Sequence, residues 1–196
     1  ESCNSVFAPL GAKVGAERLV RMARAFGFGE TPAIPAAKPS TISSAEALRD
    51  DLAVGAAAIG QDRDLATPLQ MATVGATIAA GGRRARPRIA TIDPVVRRSV
   101  VSAATARQVR AMMVDAVRAG TGTAAAIPGV QVAGKTGTAE LNIAQRINQP
   151  WFVGFAPVSR PKVAVAVTLE RIQGPQSQGG AVAAPIAKVV MQELLR

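Results

Sequence analysis

Residues 134–138, Gly-Lys-Thr-Gly-Thr, combine side chains that can bind an anion and move protons; we refer to them as the Lys135 segment. Lys135 supplies a compact positive charge whose pKa falls when the ammonium is desolvated, while the hydroxyls of Thr136 and Thr138 both donate and accept hydrogen bonds. Gly137 would let a ligand approach the backbone without an intervening side chain. On average composition, Lys-Thr-Gly occurs by chance in roughly one such chain in twenty, so the segment needs a second feature beside it.

That second feature is Ser2-Cys3-Asn4, at the other end of the sequence, which we refer to as the Ser2 segment. Serine and asparagine are common at helix starts, where their side chains accept hydrogen bonds from backbone N–H groups. On the residues alone, a helix cap and a catalytic role both stay open.

The absence of histidine and the presence of a single cysteine limit the reactions that the chain could catalyse. The chain contains no histidine, so proton transfer would depend on lysine, serine, a carboxylate or water. The single cysteine, Cys3, excludes an internal disulfide and a cysteine-rich zinc site. We therefore expect no metal and no cofactor.

The formal charge of +10 raises the question of a nucleic-acid partner. Six arginines recur at helical spacing, as on solvated helix faces: Arg18, Arg21, Arg24, Arg107, Arg110 and Arg118. One tight cluster lies at Arg83, Arg84, Arg86 and Arg88. No aromatic residues interleave with this cluster, although single-strand binders use them to stack bases. We expect a basic exterior near anionic polymers or a membrane, and no nucleic-acid partner.

Turn and cap residues predict five helices that could position the two segments. They cover residues 6–13, capped by Asn4 or Ser5; 16–26; a very apolar, central helix from Pro68, capped by Thr67, to Gly81-Gly82; 102–119, capped by Ser102; and 183–195. The predicted inward residues of the last two helices are Val109, Met112, Met113, Ala116 and Val117, and Ile186, Val189, Val190 and Leu194. Prolines make residues 31–40 a surface loop.

Three strands are predicted in the last third of the chain. The run 130–133 leads into the Lys135 segment and predicts a strand that ends at a cleft, before the polar stretch 141–149. Strands at 151–155 and 163–169 follow, the latter alternating so regularly that both its faces should be covered. Short connections favour an antiparallel sheet packed with helices, an α+β fold.

Taken together, the two segments resemble the second and third motifs of penicillin-binding proteins and serine β-lactamases, whose first motif is Ser-x-x-Lys. The likeness extends to residues 60–72 and 80–82, similar to the helix between these motifs in the transpeptidases, and to 134–140 and 151–157, similar to the third-motif strand and the next one. The chain resembles class B, transpeptidase-only enzymes, and its Ala, Val and Arg bias indicates an actinobacterial source.

This resemblance implies a D,D-transpeptidase that crosslinks peptidoglycan stem peptides through an acyl-serine and is the target of β-lactams. It implies that Ser2 relays a proton to the leaving nitrogen and that Asn4 hydrogen-bonds the substrate amide. Lys135 would orient Ser2 and attract the terminal carboxylate, Thr136 and Thr138 would bind that carboxylate beside Gly137, and the Thr138 N–H would donate to the oxyanion.

The first motif is missing where the family needs it. The one Ser-x-x-Lys match, Ser159-Arg160-Pro161-Lys162, lies after the third motif in a proline-containing turn, so we interpret it as coincidence. We therefore expect the nucleophile upstream, with residues 1–196 forming the C-terminal part of a single, incomplete transpeptidase domain: 1–128 mainly helical, 129–196 with three strands and the terminal helix. Such a chain alone should be inactive.

The partners implied are stem peptides, β-lactams, the upstream part of the same protein and the cell elongation or division machinery. The implied location is the extracytoplasmic (periplasmic) face of the plasma membrane, through an upstream anchor. Alternatives are a β-lactam-binding sensor or receptor module of the same fold, a serine β-lactamase, for which no deacylating Glu is identified, and a basic nucleic-acid-binding domain.

Overall fold

A computed structural model describes residues 2–61 and 63–196. These residues form two compact units, one of Met71–Ala85 and Arg97–Arg196, the other of Ser2–Gln70 and Arg86–Val96. The division falls within the fourth helix, α4, Pro68–Ala79. The first unit contains the sheet and the second the N-terminal helices.

The sheet consists of antiparallel strands β3 Ala133–Asn142, β4 Ile147–Ala156 and β5 Val163–Thr168, in that order, with the short β6 Ile172–Gln173 also pairing with β4. The three predicted strands are confirmed, and the first carries the Lys135 segment as expected, but it begins only at the last residue of the run 130–133 and extends into the polar stretch 141–149. β3 runs through the segment and pairs with β4 as far as Asn142. Strand pairing satisfies backbone N–H and C=O groups whether the side chains are polar or apolar, so polar residues can continue the strand.

β5 stands at one end of this strand order and is mostly half-buried, with Val165 as its buried residue. None of its six residues is exposed, so both faces are partly covered, although less completely than the alternation predicted. Its alternation reflects packing against α6, Ala184–Leu195, and the core around Phe152, Val165 and Met191.

Helices α5, Ala103–Ala119, and α6 follow the predicted bounds to within a residue, and the side chain of Ser102 accepts from the Thr105 N–H at 3.0 Å as a cap. Their predicted inward faces are partly wrong. Met112 is 61% exposed. On α6, Ile186, Val189, Val190 and Leu194 are all exposed, while Ala184, Ala187 and Met191 are fully buried. Alanines let a helix approach a sheet closely, which the spacing of large residues does not reveal.

In the second unit, α1 Asn4–Val14, α2 Ala16–Phe26 and α3 Asp51–Ala58 surround a core of Val20, Leu48, Val54 and Ala57. The bounds of α2 are confirmed, and residues 31–40 contain no helix or strand. The predicted caps of α1 are wrong, since Cys3 occupies the N-cap position without a side-chain capping bond. α3 was not predicted, although Asp50 caps it by accepting from the Ala53 N–H at 2.8 Å.

The start of α4 is confirmed, because Thr67 accepts from the Gln70 N–H at 3.1 Å. Its buried residues include Gln70, Thr73 and Thr77 as well as Ile78, so its inward face is more polar than the sequence suggested. Thr77 satisfies its hydroxyl by donating to the Thr73 carbonyl at 2.7 Å.

The basic stretch forms an unpredicted ribbon of β1, Arg83–Ala85, and β2, Arg97–Ser99. Residues 89–96, between the two strands of this ribbon, form bends, turns and coil. Across the described ranges, no helix combines the length and the apolar character that crossing a bilayer requires.

Candidate active site

The Lys135 segment lies in the middle of β3, where Lys135 is paired with Val153 and Gly137 with Trp151 of β4. Because side chains alternate along a strand, Thr136 and Thr138 share one face of it. The strand thus presents two hydroxyls side by side, while Lys135 lies on the opposite face between Ala133 and Gly137.

The backbone N–H of Thr138 points toward the edge of β3 that faces away from β4. Thr138 stands opposite Pro150, whose carbonyl accepts from the Leu169 N–H at 3.2 Å and so faces β5. Thr138 and Pro150 therefore form a non-hydrogen-bonded pair between β3 and β4. In such a pair, the backbone N–H of the β3 residue points away from β4. The Thr138 N–H therefore points to the side of β3 opposite β4.

Lys135 folds back along this same edge. Its side chain is exposed as a whole, but the ammonium nitrogen donates to the Thr136 carbonyl oxygen at 2.7 Å. Desolvation of that end lowers the pKa of Lys135. A cation of this kind would attract a carboxylate and could take part in proton transfer.

Thr136 is 9% exposed, and its hydroxyl oxygen lies 2.6 Å from that of Thr121. Thr121 belongs to the loop after α5 and is itself exposed. The two hydroxyls form a short hydrogen bond between that loop and β3.

The other hydroxyl on this face, that of Thr138, lies 3.4 Å from the Gly179 N–H. Gly179 opens the one-turn π-helix Gly179–Ala183 that precedes α6. A Cβ on Gly179 would lie 2.1 Å from the Trp151 carbonyl oxygen and 2.5 Å from that of Gly137. The turn therefore rests directly on the paired backbones of β3 and β4, which is possible only for glycine.

The Ser2 segment belongs to the second unit. Ser2 and Cys3 precede α1, Asn4 is its first residue, and all three are exposed. The Cys3 sulfur lies 3.1 Å from the Ser5 hydroxyl. The helix that carries the segment is fixed by Gly11, where an added Cβ would lie 2.2 Å from that of Ala58 on α3.

Residues 159–162 lie in the exposed connection between β4 and β5, as predicted, and not at a helix start. Among the described residues, no cluster of His, Cys, Asp and Glu could hold a metal ion.

Three residues at this site escaped the sequence reasoning: Thr121, Gly179 and Gly180. Thr121 lies in the glycine-rich run 120–123, and the two glycines lie in the run 171–180, which is rich in Gly and Gln. The available signal was the glycine content of both loops, which permits close approach but does not name the partner.

Comparison with known proteins identifies the relatives of this chain. Residues 1–192 match the family description "Penicillin binding protein transpeptidase domain". The chain is 41% identical, over 217 residues, to the peptidoglycan D,D-transpeptidase PbpA of Mycolicibacterium smegmatis, and 38% identical, over 215 residues, to PbpA of Mycobacterium tuberculosis. Each alignment covers 100% of this chain and 43% of the relative.

A solved structure of penicillin-binding protein A from M. tuberculosis, an acyl-enzyme complex with ceftriaxone, superimposes with a TM-score of 0.88 at 39% identity. The match covers 100% of this chain and 47% of that one. The chain thus spans less than half the length of each of these relatives.

Proposed function

The chain belongs to the penicillin-binding protein transpeptidase domain family, and on that premise we propose that it forms the C-terminal part of a peptidoglycan D,D-transpeptidase. The observation that carries this proposal is the arrangement on β3. Two hydroxyls, from Thr136 and Thr138, share one face, while the Lys135 ammonium and the Thr138 N–H are directed along one edge.

The proposed substrate is a stem peptide that ends in D-Ala-D-Ala, or a β-lactam that mimics it. Its terminal carboxylate accepts hydrogen bonds from the Thr136 and Thr138 hydroxyls and is attracted by Lys135, with Gly137 leaving room at the backbone. A hydroxyl with a carboxylate acceptor makes a charge-assisted bond, which contributes about 1.5 to 3 kcal/mol.

In the proposed reaction a serine oxygen attacks the penultimate carbonyl carbon, and the Thr138 N–H stabilises the oxyanion together with the serine's own N–H. The C–N bond breaks and D-Ala leaves with a proton relayed by Ser2, which Lys135 orients. Asn4 holds the amide of the substrate. The amine of a second stem peptide then attacks the acyl-serine, which forms the crosslink and frees the serine.

We place the acylated serine in the part of the relatives that this chain does not match, within one domain shared with residues 1–196. The 196-residue chain on its own should then be inactive. We also propose that the protein works at the extracytoplasmic face of the plasma membrane through an upstream anchor, with the elongation or division machinery as partner.

Labelling with a fluorescent penicillin tests this function. The full-length protein should form one covalent adduct, and Ser2→Ala should slow its formation, while residues 1–196 alone should form none. A folded full-length protein that forms no adduct contradicts the proposal. Incubation with a donor stem peptide and an amine acceptor then separates the enzyme from a receptor, because only the transpeptidase releases D-Ala and yields crosslinked product.

A further inference from the structure

Thr121 contacts the candidate site, although it belongs to neither the Lys135 segment nor the Ser2 segment. Its hydroxyl oxygen lies 2.6 Å from the hydroxyl oxygen of Thr136, a short distance for two neutral hydroxyls. Thr121 is exposed, whereas Thr136 is 9% exposed, so the pair links the protein surface to an almost buried side chain of β3.

The backbone around Thr121 is held in place by close packing of glycines. The Gly122 N–H donates to the Ala116 carbonyl at 2.9 Å, which closes the end of α5. A Cβ on Gly120 would lie 2.9 Å from the Ala116 backbone, and a Cβ on Gly180 would lie 2.2 Å from the Thr121 carbonyl oxygen. The packing against the end of α5 and the contact with the π-helical turn before α6 therefore both restrict the backbone of Thr121.

We propose that Thr121 is a positioning residue, whose hydroxyl donates to Thr136 and so directs the Thr136 proton at the carboxylate of the substrate. This inference rests on the proposed function of the Lys135 segment. Thr121 acts through Thr136 and takes no part in bond making.

The physical reason lies in the hydrogen-bonding capacity of a hydroxyl. Thr136 has one proton and two lone pairs, so accepting from Thr121 leaves its proton for an anionic acceptor. A hydroxyl that donates while it accepts is polarised, which strengthens the bond that it donates. Without Thr121 the Thr136 hydroxyl could turn to other acceptors, and the carboxylate would lose part of its binding.

The test compares rates of acylation of the full-length protein by benzylpenicillin and by its methyl ester, which lacks the carboxylate. Thr121→Val removes the hydroxyl at nearly constant shape and should lower the benzylpenicillin rate about tenfold, as expected for weakening a bond to a charged group. Thr121→Ser keeps the hydroxyl and should remain within about twofold of the unchanged protein. The ester rate should be the same for the unchanged protein and Thr121→Val.

Thr123→Val is the matched control, since Thr123 lies two positions further along the same glycine-rich loop and is exposed; its rate should not change. Thr136→Val should mask the effect, so that adding Thr121→Val to it causes no further loss. Equal losses for the ester and the acid, or additive losses in the double variant, would show a structural role only and overturn the proposal. An unchanged rate for Thr121→Val overturns it while the proposed function stands, whereas failure of the unchanged protein to be acylated overturns both.

Discussion

The Lys135 segment and the Ser2 segment are held by different means. In the first, pairing with β4, the Thr121 hydroxyl and the Gly179 turn restrict the backbone and the hydroxyls from three directions. The second forms the exposed start of α1, where the N-cap Cys3 makes no side-chain capping bond, and the helix packs against α3 through Gly11. Strand pairing thus restrains one segment along its length, while the other lies at the start of a helix that packs against α3.

The largest effect should come from Lys135→Met in the full-length protein, which removes the only cation within the Lys135 segment. We expect benzylpenicillin acylation to fall about a thousandfold, the size of loss seen when one electrostatic contact to the transition state is removed. Stopped-flow or gel-based acylation rates measure it. Lys162→Met, in the exposed β4–β5 connection, is the control and should change little. A loss below about fivefold for Lys135→Met would mean that this segment does not bind the carboxylate.

Gly179→Ala should break the local restraint on the Lys135 segment. The new Cβ would lie 2.1 Å from the Trp151 carbonyl oxygen, so the turn must move. We expect a loss of about 2 to 4 kcal/mol in the free energy of unfolding, measured by urea denaturation of the full-length protein. Gly137→Ala is the comparison, because its Cβ would meet only the Trp151 Cβ, at 3.3 Å, and should cost less than about 1 kcal/mol. Equal losses for the two variants would remove the special role of the turn.

Gly11→Ala is the corresponding change for the Ser2 segment. Its Cβ would lie 2.2 Å from that of Ala58, so α1 must shift away from α3. We expect about 1 to 3 kcal/mol of destabilisation and a parallel drop in acylation rate. The double variant Gly11→Ala/Ala58→Gly removes the clash and should recover most of the rate. If the single variant loses stability but keeps its full rate, the placement of the Ser2 segment does not depend on α1.

The smallest effect concerns pH. Because desolvation lowers the pKa of Lys135, its ammonium is lost at a lower pH than in free lysine, and acylation should decline on the alkaline side below the ordinary value of 10.5. Lys135→Arg, which stays protonated, should move this decline to higher pH. The unfolded chain keeps the proton up to higher pH than the folded one, so this group makes the free energy of unfolding rise between the lowered pKa and 10.5. A pH–rate profile that is the same for the unchanged protein and for Lys135→Arg would assign the decline to another group.

The sequence was sufficient at α2, α4 and α5, where a local signal at the helix end matches the structure. The caps Thr67 and Ser102 place α4 and α5, and Gly27 ends α2. The sequence was insufficient where contacts between distant segments determine the buried face of a helix or the length of a strand. The inward face of α6 depends on how closely Ala184 and Ala187 approach the sheet, and the extension of β3 beyond the Lys135 segment depends on pairing with β4. The contact between Thr121 and Thr136 joins a loop to a strand that no sequence pattern connects with it.

A crystal structure of the full-length protein acylated by benzylpenicillin tests the central claim most directly. The account predicts that the carboxylate lies about 2.5 to 3.2 Å from the hydroxyl oxygens of Thr136 and Thr138, and that the former β-lactam carbonyl oxygen accepts from the Thr138 N–H. A carboxylate bound away from β3, or a carbonyl oxygen turned away from Thr138, would contradict it.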